Sequence, residues 1–129
     1  RARATPTTAA APGRWTEALA AAEILGREGE SAEVLDPRTR VPMDADAIRA
    51  SVRKTGRLLV ADEAGPTCGA SAEIAMLVTE DHETFRALKA PPKRVCALQV
   101  PMPYSPGLED HVFPERNRIV AGVRGVMGS

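Results

Sequence analysis

Aromatic side chains are nearly absent. Trp15, Phe85, Tyr104 and Phe113 make up 3% of the 129 residues. A core assembled mostly from Ala, Val, Leu and Ile follows. Cysteine is scarce as well: Cys68 and Cys96 are too few for a disulfide scaffold. A reduced, intracellular chain, expected in the cytoplasm, is the reading. No apolar run approaches the ~18 residues of a membrane helix, and no charged-then-apolar leader opens the sequence. There is no excess of either charge. Seventeen basic residues face seventeen acidic ones, ten of each in residues 1–64 and seven of each in residues 65–129. No basic run marks a nucleic-acid binder, and no basic amphipathic segment marks a membrane-surface protein. Zero net charge suits a piece that sits inside a larger assembly better than a lone soluble particle. The chain opens on Arg1 rather than Met, which reads as a processed or excised piece.

What is present is one domain's length of alternating elements. Such a chain buries roughly two-thirds of its unfolded surface. Residues 1–13 contain no large apolar side chain and read as a tail, or at best a weak strand over Thr7–Ala11. Residues 14–129 form the domain. Trp15, Leu19, Ala22 and Leu25 recur at helical spacing, and Gly29 marks a helix stop. Ala32–Leu35 reads as a short strand ended by Asp36-Pro37. Asp44 is a natural N-cap for a helix striped by Ala47, Ile48 and Val52, with Gly56 beyond its end. Leu58–Ala61 is an unbroken apolar run, as expected of a strand covered on both faces. A helix over Ala70–Glu80 follows, with Ile74, Leu77 and Val78 inward. Next come a short helix carrying Phe85 and Leu88, and a strand over Arg94–Leu98. The segment Pro101–Pro106 is stiff and extended, because each proline fixes its φ and restrains the residue before it. Pro114 opens a last helix with Ile119, Val120, Val123 and Met127 on its apolar face. Strand–helix alternation predicts an α/β sandwich with a mainly parallel sheet and helices on both faces.

Candidate chemistry is sparse. Gly69-Ala70-Ser71-Ala72-Glu73 invites comparison with the G-x-S-x-G nucleophile elbow, but Glu73 replaces the last glycine. Only His82 and His111 are available as partners, so Ser71 reads better as a residue at a helix start. Cys68 lies near a helix N-terminus, where a dipole lowers a thiol pKa. A plain loop cysteine is the simpler reading. Asp81-His82-Glu83 and Glu109-Asp110-His111 are acidic-plus-His triplets without metal-site spacing. Neither G-x-G-x-x-G nor a Walker loop occurs. The loop Gly65–Gly69 precedes a helix N-terminus, where anions bind in other folds, although Asp62 and Glu63 stand directly before it.

The motifs in order are more specific: EALAAAEIL (Glu17–Leu25), VLDPRTRVPMDADAI (Val34–Ile48), SVRKTGRLLVADEA (Ser51–Ala64), GASAEIAMLVTED (Gly69–Asp81), LKAPPKRV (Leu88–Val95), VPMPYSPGLED (Val100–Asp110) and IVAGVRGVM (Ile119–Met127). From about Arg14 onward this series resembles the C-terminal domain of the beta subunit of thiamine-diphosphate-dependent 2-oxo acid dehydrogenases. Transketolases and deoxyxylulose-phosphate synthases carry the domain in more distant form. Cys68 stands where the family commonly has glycine, and Pro37 where it has leucine.

The resemblance implies a three-layer α/β/α sandwich with a five-stranded mixed sheet, its first strand antiparallel and here weak. It places thiamine diphosphate and its Mg ion in other domains of the parent enzyme. No catalytic, cofactor-binding or metal-binding residue carries over to this chain. The implied work is contact: with other subunits, including a homodimer partner, and with the acyltransferase core. Pro101, Pro103, Tyr104, Leu108 and Glu109 form the candidate contact arm. Asp36, Arg38 and Thr39 are expected to order the strand exit, and Asp62, Glu63 and Gly69 to shape the loop into the third helix. A free-standing, non-catalytic interaction module of the same fold is one alternative, and the C-terminal domain of a transketolase or deoxyxylulose-phosphate synthase is another.

Overall fold

A computed structural model describes residues 5–10, 12–37 and 41–128 of the chain. Its strands are β1 (Thr7–Ala10), β2 (Glu33–Leu35), β3 (Leu58–Asp62) and β4 (Lys93–Cys96). Its helices are α1 (Trp15–Arg27), α2 (Ala45–Thr55), α3 (Ala70–Thr79), α4 (His82–Ala87), α5 (Pro106–Val112) and α6 (Arg116–Met127). The sheet runs β2-β1-β3-β4, and every neighbouring pair is parallel. This corrects the expected five-stranded mixed sheet: the described residues form four strands, none antiparallel.

The weak first strand is also corrected. β1 lies inside the sheet, and Thr7, Thr8, Ala9 and Ala10 are at most 1% exposed. The absence of large side chains there suggests a surface tail. In fact small residues suit a central strand on which helices close from both sides. Thr7 sits opposite both Glu33 and Leu58, which fixes its register.

Side chains alternate between the faces of a strand, and two cores result. Ala9, Leu58 and Val60 meet Ile48 and Val52 of α2 and Ile74 and Val78 of α3. Ala10, Leu59, Ala61 and Val95 meet Ala18, Ala21 and Leu25 of α1 and Ile119, Val123 and Val126 of α6. The layers are therefore α2–α3, sheet, α1–α6. Helix α1 turns its alanines inward and leaves Leu19 exposed, contrary to the expected stripe. Ala47 is likewise exposed, and Leu77 only half-buried. Gly122 brings α6 onto the sheet: a Cβ there would lie 2.6 Å from Leu59 Cδ1 and 2.8 Å from Val95 Cγ2.

The helix ends follow local chemistry. Asp44 Oδ1 accepts from the Ala47 N–H at 3.0 Å, as a capping side chain should. At the end of α1 the Glu30 N–H donates to the Leu25 carbonyl and the Gly29 N–H to the Gly26 carbonyl. This is a Schellman closure, made possible by Gly29 at φ 77°. Arginine closes other ends. Arg49 donates to the Leu77 carbonyl of α3 at 2.8 Å, and Arg57 to the Val126 carbonyl of α6 at 3.1 Å. A guanidinium satisfies orphan carbonyls and complements the negative helix end at once.

Candidate functional site

An open parallel sheet usually binds ligands beyond the carboxyl ends of its strands, where the connections diverge to opposite sides. Here that point lies between β1 and β3. The chain itself fills it. A Cβ on Gly13, just after β1, would collide with the Glu63 carboxylate. Beside it, Asp62 is 1% exposed and organises the next loop. Its Oδ1 accepts from the Ala64 N–H at 3.1 Å and its Oδ2 from the Ser71 N–H at 2.9 Å. The start of α3, a generic anion-binding position with Asp62 and Glu63 standing before it in sequence, is thus capped by the chain's own carboxylate. Gly69 permits the approach, since a Cβ there would lie 2.6 Å from the Gly65 carbonyl and 3.2 Å from Asp62 Oδ2. With Asp62 and Glu63 in place, this edge does not fit a diphosphate. No group of three or more metal-ligating side chains occurs among the described residues.

Ser71 is fully buried in the first turn of α3, its Oγ 3.3 Å from Cys96 Sγ. His82 and His111 are exposed, and neither is a hydrogen-bond partner of Ser71. The elbow comparison therefore ends at the sequence. Cys96 is the small core residue expected of it. Cys68 is exposed at φ 56°, in the left-handed region that glycine adopts without cost. Asp81 is a cap: it accepts from the Thr84 N–H at 2.9 Å and from the Thr84 hydroxyl at 2.5 Å. The Thr84 bonds, led by the hydroxyl, hold its carboxyl below the usual range. On this short helix Thr84 faces inward, while Phe85 is 57% exposed.

Beyond β4 the chain crosses the carboxyl edge as an arm. Leu98, Val100, Met102 and Tyr104 alternate along it, and all are exposed, Tyr104 completely. Gln99 ties the arm to the loop, Nε2 donating to Thr67 Oγ1 at 2.5 Å. Of the predicted contact residues, Pro101, Pro103 and Tyr104 lie on this arm, with Pro103 half-buried. Leu108 and Glu109 instead lie on α5, a helix the proline spacing did not suggest. Pro106 is its first residue, as φ near −65° allows. The last helix then begins at Arg116, and Pro114 is buried before it. Leu98, Val100 and Met102 were missed as surface residues. Their period-two spacing, broken by Gln99 and Pro101, was the available signal.

Asp36 is half-buried, with Oδ1 lacking a hydrogen-bond partner among the described residues. Arg38 and Thr39, its proposed partners, lie outside the described residues.

Residues 13–119 match the family model described as the transketolase C-terminal domain. The chain belongs to the transketolase C-terminal domain family. It is 45% identical over 111 residues to the acetoin:2,6-dichlorophenolindophenol oxidoreductase subunit beta of Bacillus subtilis, covering 86% of this chain and 32% of that protein. It is 47% identical over 107 residues to a mitochondrial pyruvate dehydrogenase E1 component subunit beta-1 of Oryza sativa, covering 83% and 28%. The corresponding yeast subunit is 43% identical over 110 residues, covering 84% and 30%. The chain thus spans about a third of the length of the curated relatives it matches. A split-gene transketolase, solved as an inactive beta4 tetramer, superposes with a TM-score of 0.81 at 24% identity, over 98% of this chain and 39% of its own. At that identity the likeness supports the fold alone. No helix among the described residues is long and apolar enough to cross a membrane.

Proposed function

We propose that this chain is an assembly domain from the beta subunit of a thiamine-diphosphate-dependent 2-oxo acid dehydrogenase. One observation carries the reading: identity of 43–47% to such beta subunits is confined to about a third of their length. In this reading the parent enzyme decarboxylates a 2-oxo acid in the cytoplasm and passes the acyl group to a lipoyl carrier. Other domains hold thiamine diphosphate and its Mg ion. This domain supplies contact surface, and the arm through Pro101, Pro103 and Tyr104 with Leu108 and Glu109 of α5 faces neighbouring subunits and the acyltransferase core. Large exposed apolar side chains in one stretch are the kind of surface that contact covers. The loop at Asp62–Gly69 holds the scaffold that presents it.

Calorimetry tests the cofactor assignment. Titration of the chain with thiamine diphosphate and Mg²⁺ should give no stoichiometric heat, and metal-dependent one-to-one binding would overturn it. Light scattering tests the contact role. The chain should self-associate as concentration rises, and Tyr104→Ser with Leu108→Ser should weaken that association. A strictly monomeric mass at high concentration would count against the arm as a contact surface.

A further inference from the structure

We infer that the outer edge of β4 accepts an acidic, extended polypeptide segment as an added strand. The inference rests on observations separate from the assembly reading. Among the described residues β4 pairs with β3 alone and ends the sheet. The direction of its backbone groups follows from the ladder. The Thr7 N–H donates to the Arg57 carbonyl at 2.9 Å, which turns residues 7 and 9 of β1 toward β3. Bonding residues alternate along a parallel strand. Leu58, Val60 and Asp62 therefore turn toward β4, and Lys93 and Val95 turn back toward β3. The Ala97 N–H continues that side, reaching the Ala64 carbonyl at 3.1 Å. Arg94 and Cys96 present their backbone outward. The Cys96 carbonyl accepts from Arg118 at 2.8 Å. The Arg94 N–H, the Arg94 carbonyl and the Cys96 N–H have no partner among the described residues.

The space beside that edge is open and positive. Two adjoining hollows, about 290 Å³ and 520 Å³, share Lys93, Arg94, Cys96 and Arg118 in their walls. Among the described residues no acidic side chain lines either one. Arg94 donates to the Pro66 carbonyl at 2.7 Å, and Arg118 to the Cys96 and Phe113 carbonyls. Carbonyls orient these guanidinium groups without neutralising them. None of the three cations pairs with a carboxylate among the described residues. At the far end lies Leu98, 49% exposed.

These features select the occupant. A lone anion such as phosphate answers the cations but offers nothing to the Arg94 carbonyl, which needs a donor. An extended peptide brings donors and acceptors in alternation. Acidic side chains on the face toward α6 meet Lys93 and Arg118, and apolar ones on the opposite face run past Arg94 toward Leu98.

The probe is an acetylated seven-residue peptide alternating glutamate and valine, labelled for fluorescence anisotropy. It should bind the chain at least tenfold more tightly than a lysine–valine peptide of the same length, and more weakly as salt rises. Amide shifts in NMR should centre on Arg94 and Cys96. N-methylation of alternate peptide nitrogens keeps the charge and removes backbone donors, so it should weaken binding about tenfold or more. Lys93→Glu with Arg94→Glu should do the same, with unchanged circular dichroism. Equal binding of both peptides would overturn the inference. So would full binding of the N-methylated peptide, or displacement of the unmodified peptide by millimolar inorganic phosphate, either of which would mark a simple charge site. Should the double variant fail to fold, the N-methyl comparison on the unaltered chain still separates strand addition from a charge site.

Discussion

Thr7 and Thr8 are adjacent, buried and chemically identical, yet replacing each by valine should shift stability in opposite directions. Thr8 Oγ1 has no hydrogen-bond partner among the described residues. It faces the layer of α1 and α6, on the same side as Leu59, its register partner in β3. A buried hydroxyl left unsatisfied costs about 1–3 kcal/mol. Valine keeps the shape and removes that cost, so Thr8→Val should stabilise by about 1–2 kcal/mol. Thr7 faces the other way. Its Oγ1 lies 2.8 Å from both Ser51 Oγ and Thr55 Oγ1. Ser51 donates onward to Glu33 Oε1 at 2.9 Å, and Thr55 contacts the Arg57 carbonyl at 3.2 Å. Ser51 and Thr55 spend their hydroxyl protons on Glu33 and the Arg57 carbonyl, so the Thr7 hydroxyl donates to one of its two neighbours. Removing the Thr7 hydroxyl deletes the buried hydrogen bond it donates, and Thr7→Val should destabilise by about 0.5–1.5 kcal/mol. At about 2 cal/mol/K per residue, each 1 kcal/mol moves the melting midpoint of a chain this size by roughly 4 °C. Urea and thermal unfolding followed by circular dichroism give both values. A one-residue slip of β1 would exchange the faces and hence the signs. Shifts of equal sign, or exchanged signs, would refute both the register and the interior placement of β1.

Other substitutions probe the remaining joints. Gly122→Ala sets a gain of about 1 kcal/mol in helix propensity against about 1–3 kcal/mol of overpacking on Leu59 and Val95. It should therefore lose stability in urea, whereas Gly26→Ala, with open space around its Cβ, should gain about 0.5–1 kcal/mol. A gain at both sites would mean that α6 does not rest on the sheet at Gly122. Cys68→Gly relieves a left-handed residue that costs about 1–2 kcal/mol and adds about 0.5–1 kcal/mol of unfolded-state entropy. A net gain of about 0.5–1 kcal/mol by thermal melting is expected, and a loss would contradict the loop geometry. The Lys54 hydrogen bond, aided by Ser51, holds the Glu33 carboxyl below its ordinary value of 4.5. A lowered folded pKa stabilises above the unfolded value, and the benefit fades as pH falls through the folded one. Glu33→Gln should therefore cost stability at pH 7 and progressively less as pH falls below 4.5, and a pH-independent difference would exclude this linkage.

Local chemistry made most elements readable. Asp44 and Gly56 bound α2, Gly29 closes α1, and the apolar run at Leu58 becomes a strand buried on both faces. The ordered motifs indicated the family, because their spacing reflects which turns join which elements. Residues whose role depends on distant neighbours were not readable. Thr7–Ala10 looks like a tail until β2 and β3 flank it. Leu19 and Phe85 fit a helical stripe but point to solvent, since small alanines and Thr84 face the packing layers more closely.

By itself, then, the sequence determined the ends of α1 and α2, the strand–helix alternation and the family, all properties of neighbours along the chain. Only the tertiary structure decided strand order, the inward face of α1 and the filling of the sheet's carboxyl edge by Asp62 and Glu63. It also brought Arg118 beside the adjacent Lys93 and Arg94, in a chain of zero net charge, along the outer edge of one strand. Those outcomes depend on which residues meet across long stretches of chain, and local propensity carries no information about that.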